Sequence, residues 1–410
     1  MSRLFSVLLI LLSVVIATAQ QMGIGEFLRS ARTDLAVTGF DRQLDWFEEK
    51  RYRLPWVNEL ELRTQNNVML WGRQQYRMRL DFANPFEVRN NNRYFESQQE
   101  LKSIRKTLVY RQALKDRYLM AVRWIALNER LTLLRELEEL SRRRVDIQEQ
   151  QAGSGGFNAD TYLEARVDLV TRAADRQETE YELALAGEKM ARIARRPGQI
   201  PASLKETIRP ETIALLSDTL SSRTSVTGIQ VQIKSTELAQ RRIALDRSRI
   251  SFGWLQAMYS PYRLGTERHP TGFAVGVTIP VFNRNKNDVA RSELNSLEEN
   301  ARLEAMKFSV GLAQQERMAT LRLQLKQYVN TTTLINELKR EETESTHLLA
   351  RNLDPVSGIR TRVQAMRLDL LQQQIREKIL EEWILLLDEL DLLGQDPMVN
   401  FLSEGLESLD

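Results

Sequence analysis

Pro85-Phe86-Glu87-Val88-Arg89-Asn90-Asn91-Asn92 returns later in the chain as Pro280-Val281-Phe282-Asn283-Arg284-Asn285-Lys286-Asn287, and both stretches read P-x-x-x-R-N-x-N at an offset of 195 residues. A second echo, Arg166-Val167 against Arg362-Val363, falls at an offset of 196. Two matches at nearly one spacing, set at corresponding points among the surrounding elements, mark an internal duplication. Each copy reads as helix, strand, strand, long helix, turn, helix. The boundaries that follow are residues 20–222 for the first repeat, 223–394 for the second and 395–410 for a C-terminal tail.

Upstream of each motif lie the strands. In Tyr76-Arg77-Met78-Arg79-Leu80-Asp81-Phe82 apolar and charged residues alternate without a fault, the period-two pattern of a sheet with one wet and one apolar face. Leu60 and Leu62 alternate in the same way with Glu59, Glu61 and Arg63. In the second copy Ile250, Phe252 and Trp254 alternate, and then Phe273, Val275, Val277 and Ile279 share one face with Gly and Ala opposite.

Downstream of each motif the chain turns helical. No Gly or Pro occurs from Asn90 to Ala152, and from Asn287 to Asp354 the single exception is Gly311, so each stretch can propagate as one very long helix. Leu114, Tyr118, Val122 and Ile125, then Leu127, Leu131 and Leu134, lay down a narrow apolar stripe, which packs helix on helix and leaves the Arg-, Glu- and Gln-rich face wet. Turns at Ala152–Asn158 and Asn352–Pro355 lead into returning helices, Asp160 to Arg195 and Val356 to Leu393. Ile375, Ile379, Trp383 and Leu386 give the last of these its buried stripe.

At the amino terminus Arg3, the apolar run Leu4 to Ile16 and Ala17-Thr18-Ala19 read as a secretory leader over residues 1–19; the alternative is an uncleaved anchor, for which the run is short of the roughly 20 residues that cross a bilayer. No later segment is apolar enough over such a length, so a membrane would have to be entered with strands. Four strands cannot close on themselves, and open edges in lipid leave unsatisfied amides. Three chains would bring twelve strands, an even-numbered wall with a lumen, and arrange the helices as a tube around the same axis. The bland alternative is a soluble two-layer sheet with its polar face in water.

Taken together, the mature chain resembles the TolC-type outer-membrane efflux family. The carrying residues are Ile279-Pro280-Val281-Phe282-Asn283-Arg284-Asn285 at the strand end, and Gly155 with Leu163-Glu164-Ala165 at the start of a returning helix. The resemblance implies a mainly α fold with β: a homotrimer whose long helical hairpins form a periplasmic α-barrel, and whose four strands per chain form a 12-stranded β-barrel in outer-membrane lipid. It implies a passive duct of a tripartite efflux or secretion system, gated by untwisting of the inner hairpins and coupled through a periplasmic adaptor protein to an inner-membrane pump. The Pro280 turn is most similar to the branch that exports divalent heavy-metal cations, with drugs as the other cargo. Hairpin tips at Gly155, Gly156, Asn352 and Asp354 would dock the adaptor. Arg351 departs from the pattern at the second tip, where the family has glycine. The periplasmic aperture would fall at Thr161, Glu164, Ser357 and Arg360; where the family places acids, this chain has Ser357 and Arg360. Arg360 either faces the axis as a positive ring or is a solvated hairpin residue. Glu59, Glu61, Arg77 and Arg79 would line the barrel lumen, with Tyr76, Met78, Leu80 and Phe82 toward lipid. Trp254, Tyr259 and Tyr262 suit an interfacial aromatic belt, and Trp254 equally a core position.

Other chemistries find no foothold in the residues. The chain has no Cys, hence no thiol catalysis, disulfide or lipidated cysteine, and its two histidines, His269 and His347, lack the neighbours of a metal or catalytic site. A net charge of +3, with Arg and Glu interleaved, offers no nucleic-acid surface. No cofactor, metal or catalytic residue is expected. A periplasmic coiled-coil adaptor or scaffold is the competing reading, separable by whether the strands form a compact soluble domain.

Overall fold

Proline opens both the first long helix and the last helix, as suits a residue whose missing N–H is no loss in a first turn. The computed structural model describes residues 21–50, 53–66, 74–151, 158–201, 207–220, 227–249, 253–260, 271–277, 285–349 and 355–409. The leader expected over residues 1–19 lies outside them, as do Ile250, Phe252, Tyr262, His269 and Ile279. In chain order the elements are β1 (Gln21–Met22), α1 (Ile24–Arg29), α2 (Leu35–Lys50), β2 (Val57–Asn66), β3 (Gln74–Phe82), α3 (Pro85–Gln150), α4 (Ala159–Ile193), β4 (Ile200–Pro201), α5 (Pro210–Leu220), α6 (Thr227–Ser248), β5 (Gly253–Tyr259), β6 (Thr271–Val277), α7 (Lys286–Leu349) and α8 (Pro355–Glu389).

The chain divides into two units. One comprises Gly39–Leu108 and Val226–Ser309 and contains the principal sheet, four antiparallel strands in the order β2-β3-β5-β6. The repeated asparagines explain its junction with the helices. Asn84 caps α3 by accepting from Phe86 N at 3.0 Å, while its amide donates to Ser248 O at 2.9 Å. Asn90 donates to Ala244 O (3.0 Å), and its repeat mate Asn285 to Arg249 O (2.7 Å). The side-chain amides of Asn84, Asn90 and Asn285 thus tie the starts of α3 and α7 to carbonyls in and just after the last turns of α6.

The other unit, made of residues to Thr38, Val109–Ser225 and Val310 onward, holds the main apolar core. The stripe read from the sequence is buried here, from Leu114 through Leu134, and Ile379, Trp383 and Leu386 meet it from α8. Both ends of the described chain close this core. Met22, Phe27 and Leu28 from the first segment and Met398, Phe401, Leu402 and Leu409 from the last are all buried. Tyr118 Oη donates to Val399 O at 2.6 Å, and Trp383 Nε1 to Phe401 O at 3.3 Å. Arg117, only 2% exposed, is neutralised by Asp34 at 2.9 Å and donates to Ser30 Oγ at 3.0 Å, as a buried guanidinium requires.

Candidate functional site

The sheet turns two unlike faces outward because its residues alternate in strict register. Leu60 pairs with Leu80 and Leu62 with Met78, and β3 then sets Leu80 beside Leu255 and Met78 beside Ala257. Leu255 and Ala257 meet Val275 and Phe273 on β6. This continuous apolar face is bare: Leu62, Phe273, Val275 and Val277 are 72, 79, 74 and 74% exposed. Tyr76 and Tyr259 stack across β3 and β5 at 6.5 Å. From Tyr76 to Phe82 the strand covers about 20 Å. Among the described residues neither the outer edge of β2 nor that of β6 has a pairing strand.

The opposite face carries the charges, and the register decides which of them meet. Arg79 does stand opposite Glu61, but Arg77 falls opposite Arg63 and Glu59 opposite Asp81. Like charges directly across a pair are unfavourable. Two are balanced along their own strand, Arg63 by Glu61 and Asp81 by Arg79 Nε at 2.9 Å, while Arg77 donates to the neutral Gln75 at 3.1 Å. Trp254 also lies on this face. It sits opposite Gly276, where an added Cβ would come within 2.3 Å of the indole, and the Arg79 guanidinium covers its ring at 5.0 Å. Trp254 is thus separated from Tyr259, which lies on the apolar face. Alternation alone parts Trp254 from Tyr259, five residues on, whereas its pairing with Gly276 is a matter of register.

The long helices form seams joined by polar links. Leu134, Leu137 and Leu140 of α3 pack on Val363 and Met366 of α8. Arg376 bonds Glu129 at 3.0 Å, and Arg123 reaches both Glu377 and Glu182. Burial holds the Glu129 carboxyl above the ordinary carboxylate range against the pull of Arg376, and burial likewise pushes the Tyr118 phenol up. Asp168 of α4 joins three helices: it accepts from Ser141 of α3 at 2.9 Å, pairs with Arg172, and bonds Arg367 of α8 at 3.1 Å. No sequence signal marked Asp168, because acids are common on every wet helix face.

At the helix starts, Asn158 caps α4 by accepting from Asp160 N and Thr161 N. Thr161 and Glu164 are the third and sixth residues of α4; Ser357 and Arg360 are the third and sixth of α8. Glu164 and Arg360 are exposed, and Thr161 is half-buried with its hydroxyl donating to Asn158 O at 2.9 Å. The tip residues Gly155, Gly156, Asn352 and Asp354 lie outside the described residues. Among the described residues no cluster of His, Cys, Asp or Glu could hold a metal ion, and no helix is long and apolar enough to cross a membrane.

No protein-family model and no curated protein matches this chain. Solved structures do. The structure of CusC, described in terms of transmembrane channel formation, matches with a TM-score of 0.66 at 12% identity over 90% of this chain and 92% of that one. The outer-membrane protein VceC of Vibrio cholerae gives 0.64 at 10% identity, over 90% and 95%. The CmeC outer-membrane channel of Campylobacter jejuni gives 0.62 at 13% identity, over 97% and 87%. The chain has the fold of the TolC-type outer-membrane channels, long helices with a four-stranded antiparallel sheet.

Proposed function

We propose that this chain is one subunit of a homotrimeric outer-membrane duct, inserted in outer-membrane lipid by its strands, with its helices extending into the periplasm. The observation that carries the reading is the sheet itself: a bare apolar face of about membrane-spanning height, a charged face behind it, and two open edges. Three copies of a four-stranded sheet would supply twelve strands and remove every edge. Exposed apolar residues at heptad-like spacing on α4, Leu163, Val167 and Val170, and on α7, Leu294, Leu297, Phe308 and Leu312, give neighbouring copies helix faces to cover. The same open sheet weighs against a soluble adaptor or scaffold, which would bury its apolar strand face.

In this reading the two repeats, residues 20–222 and 223–394, alternate around one axis. Glu59, Glu61, Arg77 and Arg79 face the lumen, and Thr161, Glu164, Ser357 and Arg360 ring the periplasmic aperture. The tips at Gly155, Gly156, Asn352 and Asp354 meet an adaptor that links the duct to an inner-membrane pump. Divalent metal cations as cargo rest on the Pro280 turn alone, of which only Asn285 onward is described; a deletion strain losing metal tolerance, and not drug tolerance, would support them. The deciding experiment is purification in detergent: a heat-resistant trimer that conducts in a planar bilayer is expected, and a monodisperse soluble monomer ends the proposal.

Opening would require α8 to part from α4, and the Arg367–Asp168 bond is placed to resist it. Asp168→Ala removes roughly 0.5–1 kcal/mol of partly exposed ion pairing. A severalfold longer open time in single-channel recordings is expected; unchanged gating would remove this bond from the mechanism.

A further inference from the structure

Between the end of α2 and the N-terminal part of α3 lies a cavity of about 460 Å³ whose lining includes Phe47, Glu48, Arg53, Asn92, Phe95 and Glu96. None of its three charged side chains has an ion-pair or hydrogen-bond partner among the described residues. Asn92, which lines the cavity, accepts from Leu54 N at 3.2 Å, and this fixes the Arg53 segment to α3. Two phenyl rings, one guanidinium and two carboxylates converging on one hollow suit a ligand that bears both charges and an apolar end.

The order of the charges along the chain decides which. Arg53 stands four residues ahead of β2, with the exposed Trp56 between them, whereas Glu48 and Glu96 lie farther from the sheet along α2 and α3. In a bilayer the polar layer is roughly 5–8 Å deep on each side of the hydrocarbon, and a long arginine side chain reaches toward it. A phosphatidylethanolamine head presents its phosphate nearest the acyl chains and its ammonium beyond. We infer that this cavity is a binding site for the zwitterionic headgroup of phosphatidylethanolamine from the facing leaflet, with phosphate on Arg53 and Asn92, and ammonium between Glu48 and Glu96 over the phenyl rings. The two carboxylates repel purely anionic lipids. The inference rests on the membrane reading above, since the cavity meets lipid only if the sheet is inserted.

The full-length protein is reconstituted into vesicles of equal phosphatidylethanolamine and phosphatidylglycerol, insertion is verified by protease protection and strand content, and the lipid retained per chain after detergent extraction is counted by native mass spectrometry. The retained ratio of phosphatidylethanolamine to phosphatidylglycerol should be about tenfold that of the vesicle, the scale of one charge-assisted hydrogen bond gained. Arg53→Gln and the pair Glu48→Gln with Glu96→Gln should each return the ratio to that of the vesicle with insertion intact; should a variant fail to insert, the wild-type ratio decides. Excess inorganic phosphate should leave the retained lipid in place; if it strips the lipid, the cavity is a phosphate site and the headgroup assignment falls. Insertion with a vesicle-like ratio overturns this inference alone, while failure of the wild type to insert overturns it together with the membrane reading.

Discussion

The two β-hairpins of this chain share a plan and differ in chemistry. On the face away from Leu62 and Val275, the β2–β3 hairpin carries Glu59, Glu61, Arg63, Arg77, Arg79 and Asp81, while the β5–β6 hairpin carries Trp254, Gln256, Met258, Gly272, Ala274 and Gly276. On the other face both are equally apolar. The two hairpins thus share an apolar face and differ on the other, which is charged in one and uncharged in the other. On the charged face the hairpins meet where Arg79 of β3 covers Trp254 of β5, whose indole fills the space that Gly276 of β6 leaves open, and where Gln75 Nε2 donates to Met258 Sδ at 3.9 Å.

The strongest way to break the comparison is to place one charge on each face. Val275→Arg, on the apolar face, is expected to cost about 2–4 kcal/mol if it sits near the bilayer midplane, and Gln256→Arg, on the inner face, close to nothing. Urea unfolding of vesicle-reconstituted protein reads both, and equal losses would mean that the faces are not solvated differently. A smaller effect sharpens the role of the glycines. Gly276→Val drives a side chain into the indole and into its strand neighbours, at about 1–3 kcal/mol of overpacking. Gly272→Ala, whose nearest neighbour is the flexible Met258 Cε at 3.5 Å, should be tolerated. Near-ultraviolet circular dichroism should change for the first and not the second. Smallest of all, Arg79→Lys forfeits the planar stack on Trp254, roughly 0.5–1 kcal/mol, whereas Arg77→Lys, which covers no ring, should not lower the unfolding midpoint measurably.

Much of the fold was legible before any coordinates. The long helices follow from sixty-odd residues without Gly or Pro in α3 and with Gly311 as the single exception in α7, and α3, at 66 residues, begins five positions before the Gly- and Pro-free stretch because Pro85 is tolerated in a first turn. The apolar stripe of Leu114, Tyr118 and Val122 and the faces of β3 and β6 are periodicities that survive any tertiary arrangement. The asparagine repeat was visible as a pattern, but the carbonyls of Ala244 and Arg249 that Asn90 and Asn285 bind were not, since side-chain amides bond to whatever carbonyl the fold brings near. The same holds for the candidate site: the charged residues of β2 and β3 were found by alternation, while their partners were fixed by register.

What the sequence determined by itself is everything governed by local spacing: duplication, helix length, and which residues share a face. Tertiary structure decided what depends on two distant segments meeting. It set Trp254 on the charged face under Arg79, tied Asp168 to Arg367, brought the first and last segments together around Trp383, and hollowed the cavity between Phe47 and Phe95. The physical reason is that spacing along a chain is written in the covalent order, whereas a contact between remote residues exists only once register and helix packing have been chosen together.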